Sequence, residues 1–293
     1  MTNGGSSRPR LPRALTVLLL LVALPVGLAA AAAKPPTLFT FLQLTDRGPA
    51  IDDDAAIWVI RSDGTGLRRL TVECTDCAGS PRFSPDGSRI AYQGIGHDYA
   101  GGLFVMRPDG SGKRRLCRCI VDGGVAWSPN GRQIATGYRG ITIFSLGVGG
   151  RKVPGRSAQI SVFDLDWSHD GRWFTFGDGG NRVWSVARDG RHLRLLASPA
   201  FLPRFTADSR SVMFSSPTKR GLFVVPVGGG PVARVLAKPA GWATWSADGT
   251  QVAYFGRFGI HIRDRVTGRE RQVSIPHRVC LGASSCGWLD WQP

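Results

Sequence analysis

Few side chains in this 293-residue sequence have the type and spacing that chemistry demands. Asp52, Asp53 and Asp54 could offer oxygens to a hard cation, but they lack the D-x-D-x-D-G spacing that wraps ligands around calcium. His97, His261 and His277 could meet a transition metal, yet no H-x-x-x-H or H-E-x-x-H pair sets two imidazoles side by side. The run GASSCG from Gly282 approaches a G-x-S-x-G nucleophile elbow, with Cys286 in the place of the second glycine and no strand–turn–helix context. GVGG and VGGG read as hairpin turns, not as phosphate cradles. The residues therefore predict no catalytic group, no metal and no cofactor.

Six cysteines form three local pairs: Cys74 with Cys77, Cys117 with Cys119, and Cys280 with Cys286. An even count in an exported chain predicts disulfides, with fifteen pairings open to sequence reasoning. A C-x-C bridge is strained, so Cys117 or Cys119 is expected to reach another loop. Four of the six could alternatively hold zinc.

The elements that must position these residues emerge from an internal repeat. SPRFSPDGSRIAY from Ser80 is followed by VAWSPNGRQIATG, DLDWSHDGRWFTFG, LPRFTADSRSVMFS, ATWSADGTQVAYFG and a truncated CGWLDWQP. The aromatic anchors Phe83, Trp127, Trp167, Phe205, Trp245 and Trp291 are 44, 40, 38, 40 and 46 residues apart, the period of propeller blades. After each of the first five comes a turn, SPDG, SPNG, SHDG, TADS or SADG, then a second apolar run; Asp or Asn before Gly, residues that tolerate positive φ, makes this a hairpin signal. A third run such as LFVMRPDG and a basic fourth run such as KRRLC complete four antiparallel strands. The chain enters at TLFTFLQL, a second strand with no first, and ends on GWLDWQP, a first strand with no second. Pairing them closes a ring that would otherwise leave two unpaired edges. The expectation is an all-β, six-bladed β-propeller of four-stranded antiparallel blades, closed by the C-terminal strand pairing with the N-terminal blade. It would occupy residues 34–293 and behave as a monomer.

W-S-P-D-G, an aromatic third strand ending in D-G, R-R-L-T and the terminal D-W-Q-P together resemble the TolB-type, WD40-like propeller repeat family, over residues 38 to 293. Blades 3 and 5 depart from the pattern: GVGG and VGGG replace D-G, and TADS lacks the turn glycine. The resemblance implies an envelope protein that binds other proteins. It also leaves room for a metal-dependent polysaccharide lyase-like propeller, or for a propeller accessory to a separate hydrolase, because one architecture hosts many activities.

In a four-strand meander the first-to-second and third-to-fourth turns emerge at one end of the blade, tight and repetitive. The irregular second-to-third loops and blade connections emerge at the other, where binding residues tend to lie. That irregular face predicts a partner-binding surface from Asp53, His97, Asp98, Tyr99, Arg139, Asp178, Asn181, Arg220 and Arg257.

The N-terminus reads as an export signal over residues 1–33. Arg8, Arg10 and Arg13 precede the apolar run from Ala14 to Leu24, and small residues end at Ala33. The rival is an uncleaved anchor, the one route to membrane attachment. A net charge of +16 favours acidic partners: an envelope or extracellular protein, or an anionic wall polymer. Export excludes nucleic acid and places the protein outside the cytoplasm, secreted, periplasmic or bound to the cell envelope.

Overall fold

The computed structural model describes Met1 and residues 36–293, apart from 44–54, 72–78, 96–100, 120, 122, 147–148, 156–158, 239, 257–258, 278 and 281–285. The chain divides into Met1–Pro35 and Pro36–Pro293. The expected signal segment lies outside the described residues. Among those residues, no helix is long and apolar enough to cross a membrane.

Among its described residues, the regular elements of the second unit are short strands. Blade 1 takes β1 (Leu38–Gln43), β2 (Ala56–Arg61) and β3 (Arg68–Arg69). Blade 2 holds β4 (Gly79–Phe83), β5 (Ile90–Ile95), β6 (Gly101–Met106) and β7 (Arg114–Cys117). Blade 3 holds β8 (Val125–Trp127), β9 (Gln133–Tyr138), β10 (Gly140–Ser145) and β11 (Gly150–Lys152). Blade 4 runs through β12 (Phe163–Trp167), β13 (Trp173–Gly177), β14 (Val183–Ala187) and β15 (Arg194–Ala197). Blade 5 follows with β16 (Phe201–Phe205), β17 (Ser211–Ser216), β18 (Gly221–Pro226) and β19 (Ala233–Leu236). Blade 6 has β20 (Gly241–Trp245), β21 (Gln251–Gly256), β22 (Gly259–Asp264) and β23 (Glu270–Ser274), and the chain ends on β24 (Cys286–Trp291).

The sheets are six antiparallel four-stranded blades, and blade 1 has the order β24-β1-β2-β3. The closure read from the sequence is therefore observed: β24 pairs with β1 through Phe39↔Trp291, Thr40↔Asp290, Leu42↔Gly287 and Gln43↔Cys286. Trp291 Nε1 donates to Thr37 Oγ1 at 2.6 Å, and the Leu38 N–H donates to Gln292 Oε1 at 3.1 Å, which stitches the two ends further. The first strands β24, β4, β8, β12, β16 and β20 touch one another in turn around a closed ring and so form its innermost layer. The fourth strands form the rim.

Side-chain alternation explains the core. In β1 both faces are buried, and Phe39 and Phe41 pack with Phe255, Ile260, Leu289 and Trp291 between blades 6 and 1. Phe174, Phe176, Trp167 and Ile143 do the same between blades 3 and 4. Each first-to-second turn repeats one hydrogen-bond pattern, which gives the S/T-x-D/N motif its meaning. The hydroxyls of Ser84, Ser128, Ser168, Thr206 and Ser246 donate to Asp86, Asn130, Asp170, Asp208 and Asp248. The Ser84 hydroxyl, with the Ser88 donors, brings the Asp86 carboxyl down to about 2. The missing glycine of TADS costs the blade nothing visible: Ser209 takes φ 61° where Gly87, Gly131, Gly171 and Gly249 take 67°, 64°, 74° and 68°. Its hydroxyl also accepts from the Asp170 N–H at 3.1 Å, tying blade 5 to blade 4.

Candidate functional site

The first strand of each blade carries a local irregularity three residues before its anchor. Ser80, Gly124, Asp164, Leu202, Trp242 and Trp288 all have positive φ, between 30° and 98°. Register shifts accompany this position in β4, β12, β16, β20 and β24. Such bulges bend a strand and re-aim its side chains. Here they precede a second repeated position, one residue before each anchor: Arg82, Ala126, Asp166, Arg204, Thr244 and Asp290.

These six residues all line one cavity of about 260 Å³ at the regular-turn end of the ring, beside the anchors Trp127, Trp167 and Trp245 and the turn residues His169 and Ala247. In ring order, starting from blade 1, they read Asp, Arg, Ala, Asp, Arg, Thr. The pattern has an approximate two-fold repeat. Asp290 Oδ2 accepts from the Phe83 N–H at 2.8 Å, and Asp166 Oδ2 accepts from the Phe205 N–H at 2.8 Å, so each carboxylate pins the next blade. Arg82 Nη1 lies 3.6 Å from Asp290 Oδ1 and donates to the Leu289 carbonyl at 3.5 Å. Arg204 Nη1 turns instead to the carbonyls of Pro203 and Asp164, at 2.6 and 3.3 Å.

Burial governs the electrostatics. It pushes the Asp164 carboxyl up to about 6, against the pull of Arg82. It also raises Asp166 and Asp290, which Arg82 and the backbone N–H groups of Phe205 and Phe83 only partly offset. Three donors on the cavity wall, Arg82 Nε, Arg204 Nε and Trp245 Nε1, are buried without a hydrogen-bond partner among the described residues. Unpaired donors of this kind cost free energy that a bound acceptor would recover.

The irregular face is less completely described. Asp53, His97, Asp98, Tyr99, Arg257, Cys74 and Cys77 lie outside the described residues. Arg139, Asp178, Asn181 and Arg220 all occupy second-to-third loops, as expected from the meander. Arg139 is exposed, stacks over Tyr138 with its guanidinium carbon 5.9 Å from the ring centre, and bridges to Ser161 of the next blade connection. Asp178 is occupied by its own turn, accepting from the Gly180 and Arg182 N–H groups, Arg182 Nε and Trp184 Nε1. Burial alone would raise it; these bonds hold it below the usual carboxylate range. Asn181 shapes the same turn at φ 55°, and its carbonyl accepts from the Ala200 N–H at 2.8 Å. Arg220 is exposed at φ 42°. No group of three or more His, Cys, Asp or Glu able to hold a metal is found among the described residues.

One cysteine expectation is corrected. Cys117 bonds to Cys119 rather than to another loop, and Cys280 bonds to Cys286. The Cα separations of 5.5 and 5.7 Å lie within ordinary disulfide reach. Each bridge ties a strand end to a blade-to-blade connection of the irregular face: Cys117 ends β7 and Cys286 begins β24.

No protein-family model matches the chain. Over 103 residues it is 39% identical to the Tol-Pal system protein TolB of Gluconobacter oxydans, a match covering 31% of this chain and 22% of that protein. The structure resembles TolB from Acinetobacter baumannii with a TM-score of 0.69 and 14% identity, over 88% of this chain and 67% of that one. It also resembles a chain of a nidogen/laminin complex (TM-score 0.66, 12% identity, 87% and 98% covered). An oligogalacturonate lyase from Vibrio parahaemolyticus is more distant, at TM-score 0.54 and 8% identity over 75% and 71%. At these identities the structural likeness establishes the fold alone.

Proposed function

We propose that this chain, whose fold is the TolB-type six-bladed β-propeller, is a non-enzymatic docking scaffold of the cell envelope that receives a segment of a partner protein in the mouth of its central channel. The observation that carries this reading is the cavity itself. Two Asp–Arg neighbours set half a ring apart, with three buried donors lacking partners among the described residues, suit a polar peptide segment that supplies acceptors and donors together. The scaffold is rigid, so docking orders little of it and the entropy cost falls mainly on the partner. The partial match to a TolB sequence supports an envelope setting, and the export-type N-terminus agrees with it.

The irregular face is a second docking surface, favoured by the Cys117–Cys119 and Cys280–Cys286 bridges that constrain two of its connections. Photo-crosslinking in intact envelopes separates the two. A photoreactive residue at Ala247 should yield a discrete protein adduct if the channel mouth docks the partner, and one at Asp98 should do so if the irregular face does. Adducts at neither position would remove the scaffold reading. The lyase-like alternative predicts a stoichiometric divalent metal in purified protein and release of unsaturated products from acidic polysaccharide; metal analysis and that assay test it directly.

A further inference from the structure

The rim of the disc carries a charge pattern that docking on either face does not use. Every outermost strand bears a cation: Arg68 and Arg69 on β3, Arg114 and Arg115 on β7, Arg151 and Lys152 on β11, then Arg194, Arg234 and Arg271 on β15, β19 and β23. The only carboxylate on these strands is Glu270, and it is engaged by Lys238 at 3.3 Å, His261 at 3.1 Å and Tyr254 at 2.7 Å. Arg68, Arg69, Arg114, Arg151, Lys152, Arg194, Arg234 and Arg271 are all exposed. Their hydrogen bonds go to neutral carbonyls, Arg68 to Pro108, Arg69 to Thr71, Arg234 to Lys219 and Arg271 to Ser62, while Asp109 and Asp63 act on Arg68 and Arg271 through space.

Charge on an edge strand also blocks edge-to-edge pairing, a purpose that cations serve most often. A single sign on all six edges does more than that: it leaves a cationic perimeter that an anionic ligand can follow. All but one of these cations are arginines, as are most cations of the chain, and their planar forks suit phosphate and carboxylate groups.

We infer that the rim is a binding belt for a linear polyanion, a chain with repeated phosphate or carboxylate groups that runs along the perimeter from blade to blade. The geometry selects a flexible chain over a flat membrane. The six edges face outward in six directions around the ring. A planar surface could meet only neighbouring edges at one time, whereas a polymer can follow them in sequence. This inference is independent of the partner docked in the channel mouth.

The test uses the full-length chain and two fourfold variants of equal charge, one change in each of blades 2 to 5. The rim variant is Arg114→Glu, Arg151→Glu, Arg194→Glu and Arg234→Glu. The face variant is Arg89→Glu, Arg132→Glu, Arg172→Glu and Arg210→Glu, at exposed positions beside the regular turns. The probes are long-chain inorganic polyphosphate, poly-glutamate, triphosphate and anionic phospholipid vesicles. Long-chain polyphosphate or poly-glutamate should bind at least about tenfold more weakly to the rim variant, with a salt slope smaller by about 2–3. The face variant should lose less than about threefold, and triphosphate should bind far more weakly than the long chain. Equal losses in the two variants would reduce the effect to net charge and overturn the belt. So would unchanged binding in the rim variant, or vesicles that compete as well as the polymers. Crosslinking at Ala247 reads the docking scaffold separately, so either proposal can fail alone.

Discussion

Deleting residues 287–293 removes a single short strand, yet it should abolish cooperative folding. Leu289 and Trp291 are 1% and 9% exposed, and losing their burial costs about 1.5–3 kcal/mol each. The Phe39–Trp291 ring contact, with centroids 4.7 Å apart, adds about 0.5–1.5 kcal/mol. The Phe83 N–H loses its Asp290 acceptor, at about 1–3 kcal/mol for a buried amide left unpaired. Together with the ladder from β24 to β1, the loss reaches about 6–10 kcal/mol, the scale of a whole domain's stability. The deletion also exposes β1 as an inner edge facing β4 and β20, where an unpaired strand invites association. Calorimetry of the full-length and truncated chains is the assay. The truncated protein should show a broad, weak or absent transition, with a van't Hoff enthalpy that no longer matches the calorimetric one. A single transition within about 5 °C of the full-length midpoint would refute the closure argument.

The buried carboxylates predict an unusual pH dependence. Asp164 sits at about 6 in the fold against an ordinary 3.8, so its ionisation favours the unfolded chain; stability rises as pH falls from 7 towards 4. Going from pH 7 to pH 5 should add about 1 kcal/mol from this group, and Asp164→Asn should stabilise the protein at pH 7 and flatten that rise in urea melts. Thiol titration of the denatured, unreduced protein should find no free thiol at Cys117, Cys119, Cys280 or Cys286, and peptide mapping that recovers any of them reduced would contradict the bridges. The double variant Cys280→Ser, Cys286→Ser should lose about 2 kcal/mol, since it opens a short closed loop.

Some of the site was present in the sequence but not readable one segment at a time. Arg82, Asp166, Arg204 and Asp290 each look like an ordinary polar residue beside an aromatic one. Aligned on the anchors they fall into one column, one residue before Phe83, Trp167, Phe205 and Trp291. That alignment alone does not say where the column points. Strand alternation would set it opposite the anchor, and the bulge three residues before the anchor decides its aim. The irregular face illustrates the reverse case. The meander put Asp178 and Asn181 on the correct end, but proximity to a face does not tell whether a side chain is available. Asp178 is taken up by Trp184 and Arg182, and Asn181 by its left-handed turn.

The spacing of six anchors, the hairpin chemistry after the first five and the orphan strands at the two ends determined the architecture without any coordinates. Each is a local or periodic signal, and a repeat multiplies it. The rim charge was likewise in the sequence, because fourth strands could be counted along the chain. Only the tertiary structure decided the channel and the cysteine pairing. A channel exists where six strands distant in sequence converge, and the burial that raises Asp164, Asp166 and Asp290 is a property of the assembled ring. Disulfide partners depend on the approach of chain segments in space, which spacing bounds but does not choose.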